Sequence, residues 1–145
     1  LTVHARTKAD GYTPPAYWEK IQPITEALKI NVIANGEIWN NADAKACIAQ
    51  SDCKDIMIGR GAVTTPDLTL CIRENNDNSI LSWQDLVELQ QRFLSGQFKT
   101  EIGMIGRYKQ WLGMMTKAYP EAQELWTKVK KEKQLDEIIN YLKQS

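Results

Sequence analysis

Hydrophobic and polar positions follow two different rhythms along the chain. Up to residue 73, short β-rich runs alternate with helical stretches. Residues 1–4 predict a strand. Residues 18–28 predict a helix interrupted at Pro23, which has no interior N–H to give. A second strand over 31–34 ends at Asn35-Gly36, and a second helix covers 42–50. A third strand over 55–58 ends at Gly59-Arg60-Gly61, and a third helix covers 66–73. Near-continuous apolar strands separated by helices predict a parallel sheet covered on both faces, here three βα units in a row.

Asn75-Asn76-Asp77-Asn78-Ser79 is a polar, turn-forming break, after which the period is purely helical. Ser82 with Asp85 predicts a capping box, Leu86, Leu89 and Phe93 an apolar stripe, and Gly96 a C′ residue. A helix over 99–118 places Ile105, Tyr108, Leu112 and Met115 on one face. Pro120 opens a third helix carrying Leu125, Trp126 and Val129, and Leu135, Ile138, Ile139 and Leu142 mark a fourth. Narrow stripes of this kind are buried only against each other, so the second half reads as a small helical bundle. The division is 1–74 α/β, 75–81 linker and 82–145 all-α.

Composition fits this picture: 145 residues, 43% hydrophobic and 25% charged, are ordinary globular material. The start at Leu1, without Met and directly in an apolar run, predicts a piece of something longer. The absence of an 18-residue apolar run or a signal-peptide pattern gives the expectation of a cytoplasmic protein without a membrane partner. Eighteen Lys and Arg balance eighteen Asp and Glu, but unevenly. Residues 1–78 carry 8 basic against 10 acidic side chains, and residues 79–145 carry 10 against 8. Lys128, Lys130, Lys131 and Lys133 cluster at one helix end, and Arg107 and Lys109 flank Trp111's helix face. Lys at a helix C-terminus also complements the macrodipole, so this cluster alone does not require a partner. Cys47, Cys53 and Cys71 fit no zinc or redox spacing. With His4 as the one histidine, neither a metal site nor a catalytic thiol is expected.

In a parallel α/β layout ligands bind at the C-terminal ends of the strands. All three strands end there in functional residue types: His4 and Arg6 after the first, Asn35-Gly36-Glu37 after the second, Gly59-Arg60-Gly61 after the third. Strand-end glycines let backbone N–H groups approach a phosphate, and Arg adds a bidentate partner. Two consecutive sites of this type match the phosphate grip of the last two strands of a (β/α)₈ barrel. Taken singly, each residue is as well explained by a turn or a salt bridge.

These residues carry a resemblance. His4-Ala5-Arg6-Thr7-Lys8 with Gly11-Tyr12, Val32 to Ile38, and Ile56 to Ala62 resemble the last three barrel strands of the tRNA-dihydrouridine synthases. Arg107 to Leu112 resembles that family's C-terminal tRNA-recognition bundle, and Glu37 with Lys-Gln-Trp-Leu favours the bacterial C type. The resemblance implies an FMN enzyme, reduced by NADPH, that saturates the C5–C6 bond of a D-loop uridine, U16 in that subgroup. It implies FMN contacts at Asn35, Gly36, Glu37, Gly59 and Arg60, with His4 near the flavin and Arg6 near the uracil. It implies tRNA contacts at Tyr12, Arg107, Lys109 and Lys130. A full barrel needs about 200 residues or more, so the first five strands are missing, with the family's proton-donating cysteine and flavin-contacting lysine. The expectation is the last three βα units of a TIM barrel and a bundle, inactive alone, with an open half-barrel that self-associates. Two other readings stay open: a stand-alone RNA-binding half-barrel, and another FMN barrel oxidoreductase whose bundle serves dimerisation. Bound flavin separates the first from the leading reading, and tRNA binding separates the second.

Overall fold

The computed structural model describes residues 1–11, 13–96 and 100–145, which form two compact units, Leu1–Ser79 and Ile80–Ser145. The first unit holds three parallel strands, β1 (Thr2–His4), β2 (Ile33–Asn35) and β3 (Asp55–Met57), paired in that order. The register sets His4, Asn35 and Met57 side by side at the C-terminal edge. Because side chains alternate along a strand, Val3, Ala34 and Ile56 share the other face. That face is buried against Ile21, Ala44 and Cys47 of the covering helices.

The expectation of a sheet covered on both faces is therefore corrected within this unit. Thr2, His4, Asp55 and Met57 are exposed on the opposite face. An apolar strand run signals burial without stating what supplies it, and no helix among the described residues of this unit covers that face.

The predicted helix over 18–28 divides into a 3₁₀ turn, Trp18–Lys20, and α1 (Gln22–Ala27). Pro23 sits in the first turn of α1, where a missing N–H costs nothing, so it starts the helix instead of interrupting it. Helix α2 (Asn41–Ser51) is capped by Asn40, whose side chain accepts from the Asp43 N–H at 2.8 Å. The predicted helix over 66–73 is present as α4 (Leu68–Arg73), and a short helix that was not predicted, α3 (Arg60–Thr64), precedes it. The break between them has a local cause: Pro66 drives Thr65 into extended backbone, φ −124° and ψ 93°. The polar stretch after α4 is tied to this unit. Buried Asn41 donates to Asn75 and Asp77, and Ser79 donates to buried Asp67.

The second unit packs α5 (Trp83–Leu94), α6 (Glu101–Met115), α7 (Pro120–Val129) and α8 (Leu135–Lys143) around one core. Each helix contacts the next, and α8 contacts α5. The Ser82–Asp85 capping box is present, and Pro120 opens α7. Lys99, at the predicted start of α6, lies outside the described residues. The buried face of α5 is Leu86, Val87, Gln90 and Leu94, with Phe93 partly buried against the core; of the predicted Leu86, Leu89, Phe93 stripe, Leu89 is the member that is corrected to the surface. Gln90 explains the difference: fully buried, it accepts from the Tyr108 hydroxyl at 3.0 Å and donates to the Leu86 carbonyl at 3.1 Å. A polar residue satisfied in this way occupies a core position that an apolar pattern passes over.

Candidate functional site at the strand ends

The aligned strand ends open into a cleft of about 400 Å³, within the usual range for small-molecule sites. His4, Asn35, Gly36, Glu37, Gly59 and Arg60 all line it, together with Ile38, Trp39, Met57 and Gly61. Thus the residues singled out at three separate strand ends, Arg6 excepted, come together on one surface.

The backbone at the second strand end is special. Gly36 has φ +131°, and a Cβ there would meet the His4 ring at 3.4 Å. The Gly36 carbonyl accepts from the Trp18 indole at 2.8 Å, which pins the turn. Glu37 follows in the left-handed region, φ 53°, an uncommon conformation for a non-glycine residue. This conformation places its carboxylate among three donors. Oε1 lies 2.9 Å from Arg6 Nη2 and 2.7 Å from Arg60 Nη2, and Oε2 accepts from Trp39 Nε1 at 2.9 Å. Burial draws the Glu37 carboxyl upward. The hydrogen bonds from Trp39 and Arg6 and the charges of Arg6 and Arg60 outweigh it and hold the group below the ordinary carboxylate range.

Two cations against one carboxylate leave the cluster one positive charge in excess, suited to an anion. Arg60 is the accessible member, 45% exposed, with its guanidinium 5.3 Å from the Trp39 ring centre. Arg6 is different. Its side chain is fully buried, Nε donates to the Pro15 carbonyl at 3.2 Å, and Nη1 is buried without a hydrogen-bond partner among the described residues. Arg6 does not line the cleft; it lies behind Glu37. Gly59 caps α3 with open space where a Cβ would be, whereas a Cβ on Gly61 would fall 2.1 Å from the Ile38 carbonyl oxygen. Gly61 is thus required for close backbone approach, and Gly59 leaves the mouth open.

Sequence reasoning placed Gly61 at the third strand end without a contact of its own, and it missed Trp39 and Met57. Trp39 stands two residues beyond Glu37, and its backbone N–H is held by Asp43 Oδ2 at 2.9 Å. The signal was an aromatic beside an acidic turn residue. Met57, which accepts from Asn35 Nδ2 at 3.2 Å, carried none.

The other predicted residues lie elsewhere. Tyr12 lies outside the described residues. Arg107 and Lys130 are exposed in the helical unit. Lys109 is turned inward, and its Nζ donates to the carbonyls of Lys130, at 3.2 Å, and Glu132. Cys47, Cys53 and Cys71 are buried and form no disulfide among the described residues. Burial pushes Cys47 up to about 11, which keeps it protonated at neutral pH. No helix among the described residues is long and apolar enough to cross a membrane.

Comparison with known proteins shows the family. The family model described as Dihydrouridine synthase (Dus) matches residues 1–145. Proteins named tRNA-dihydrouridine(16) synthase are similar along the chain. The one from Shewanella oneidensis is 44% identical over 100% of this chain and 46% of its own length. That from Pseudomonas putida is 43% identical over 91% and 42%, and that from Haemophilus influenzae 38% identical over 90% and 42%. The chain spans less than half the length of these relatives. A match over its whole length shows that the chain belongs to the dihydrouridine synthase family.

Proposed function

We propose that the chain is the C-terminal part of an FMN-dependent tRNA-dihydrouridine synthase that reduces U16 of tRNA with NADPH in the cytoplasm. The observation that carries this reading is the gathering of six strand-end residues around one cleft, with a net cationic cluster at its rim. In this reading residues 1–74 are the last three βα units of a TIM barrel, and residues 82–145 are the tRNA-recognition bundle.

The residues suit the group. Gly59 and Gly36 leave room for backbone N–H groups to meet a phosphate, and Arg60 supplies a charged fork. Asn35 and the Glu37 carboxylate offer partners to ribityl hydroxyls, and His4 stands beside the Gly36 turn toward the flavin. The resemblance puts Arg6 near the uracil, and its Nη1, buried and unpaired among the described residues, is the donor it would have to offer once exposed to substrate. When bound, reduced FMN supplies the hydride for uracil C6. The family resemblance assigns the proton for C5 to a cysteine of the barrel half outside these residues, and gives Cys47, Cys53 and Cys71, which are buried, no such role. In the helical unit, Arg107 and Lys130 face solvent for the tRNA backbone, with Tyr12 as a further contact from the first unit.

Among the described residues β1 and β3 are the edge strands of the sheet, and we infer that the chain by itself self-associates through the open half-barrel. A compact monomer by light scattering would oppose this. The functional test is tRNA-dependent NADPH oxidation. The full-length protein turns over and the isolated chain does not; turnover by the isolated chain would overturn the division of labour proposed here.

A further inference from the structure

We propose that Trp39 is a positioning residue for the phosphate end of the flavin site, setting Arg60 through Glu37 and thereby the preference for a phosphorylated flavin over an uncharged one. The inference rests on the reading of Arg60 as the phosphate partner. Its basis is a closed triangle of contacts. Trp39 Nε1 donates to Glu37 Oε2 at 2.9 Å, Arg60 Nη2 meets Glu37 Oε1 at 2.7 Å, and the Arg60 guanidinium lies 5.3 Å from the Trp39 ring centre.

Arg60 needs such support. Its side chain is 45% exposed, and an exposed arginine loses several rotatable bonds' freedom on gripping a ligand. Contact with an aromatic face and a carboxylate meets that loss in advance, so less is lost when the anion arrives. Trp39 is itself anchored. Its N–H is held by Asp43, in the first turn of α2, and Asn40 caps the same helix. The indole therefore transmits the position of a rigid helix to a mobile cation. The excess positive charge of the Arg6–Glu37–Arg60 cluster lets a phosphate bind without displacing Glu37.

A neutral flavin lacking the phosphate makes no use of Arg60, which gives the test its internal control. FMN and riboflavin are titrated into the flavin-free full-length protein by fluorescence quenching. Trp39→Leu removes both the ring and the N–H, and it weakens FMN about tenfold while riboflavin changes less than about twofold. Trp39→Phe keeps the ring and falls between. In an Arg60→Gln background, Trp39→Leu leaves the ratio of FMN to riboflavin affinity unchanged, as expected of a residue that acts through Arg60. Equal weakening of both flavins would make Trp39 a general wall of the cleft, and unchanged FMN affinity would give it no role; either result overturns the proposal. Wild-type protein that binds FMN no better than riboflavin would instead overturn the underlying assignment of Arg60. Trp39→Phe serves where the leucine variant loses its circular dichroism.

Discussion

Lys109→Met separates a structural lysine from an RNA-binding one. Lys109 sends its ammonium from α6 to the carbonyls of Lys130 and Glu132, which end α7 and begin the turn to α8. Those carbonyls have no intrahelical partner, and a cation there also opposes the negative end of the helix dipole. Hydrogen bonds to a charged group are worth about 1.5–3 kcal/mol each when buried. Lys109 is half-exposed, so solvent screening reduces the pair to about 1–2 kcal/mol in total. For a helical unit of this size that is a fall in melting midpoint of about 5–10 °C. The assay is near-UV circular dichroism on heating, which reads the aromatic-rich second core. The log–log salt dependence of tRNA binding is measured on the same variants. Lys109→Met lowers the midpoint and leaves the slope unchanged. Arg107→Gln leaves the midpoint within about 3 °C and lowers the slope by about 0.7–1. A Lys109→Met protein with an unchanged midpoint and a reduced slope would refute the reasoning.

Other perturbations follow from the same contacts. Tyr108→Phe strands the buried Gln90 carbonyl oxygen and costs about 1–3 kcal/mol in urea unfolding. Adding Gln90→Leu recovers part of that loss, and strict additivity of the two would contradict the pairing. Gly61→Ala drives a Cβ into the Ile38 carbonyl and unfolds the first unit or shifts its backbone, whereas Gly59→Ala folds normally; the two are compared by thermal melting. Glu37→Gln leaves buried Arg6 without its counter-charge and costs about 3–5 kcal/mol at neutral pH. Because the folded carboxyl sits below its value of 4.5 when free, its contribution is complete above that pH and is lost as pH falls through the lower folded value. The gap between wild type and Glu37→Gln in an unfolding series thus narrows as the pH falls below 4.5 and through the lower folded value.

The parallel strands, the capping box and the strand-end residues were legible in the sequence because each depends on local chemistry: β-rich runs, a Ser82–Asp85 reciprocity, glycines beside cations. What escaped depends on tertiary partners. Gln90 reads as a surface residue until Tyr108, eighteen positions away, satisfies it. Lys109 reads as one more cation until α7 presents its carbonyls. Gly59 and Gly61 look equivalent in Gly-Arg-Gly, and only the approach of Ile38 assigns the close contact to the second. The resemblance grouped Arg6 with the site without showing that it lies buried behind Glu37. The α3–α4 break is the exception. Its cause, Pro66, stood in the sequence, but the short helix before it lacked a periodic stripe.

The most direct test of the account is the modification state of tRNA from cells lacking the gene. Position 16 is read as uridine or dihydrouridine after complementation. The account predicts unmodified U16 in the deletion, dihydrouridine restored by the full-length protein, and none restored by the isolated chain or by a full-length Arg60→Gln variant that purifies without flavin. Dihydrouridine at position 16 in the deletion strain, or its restoration by the isolated chain, would contradict it.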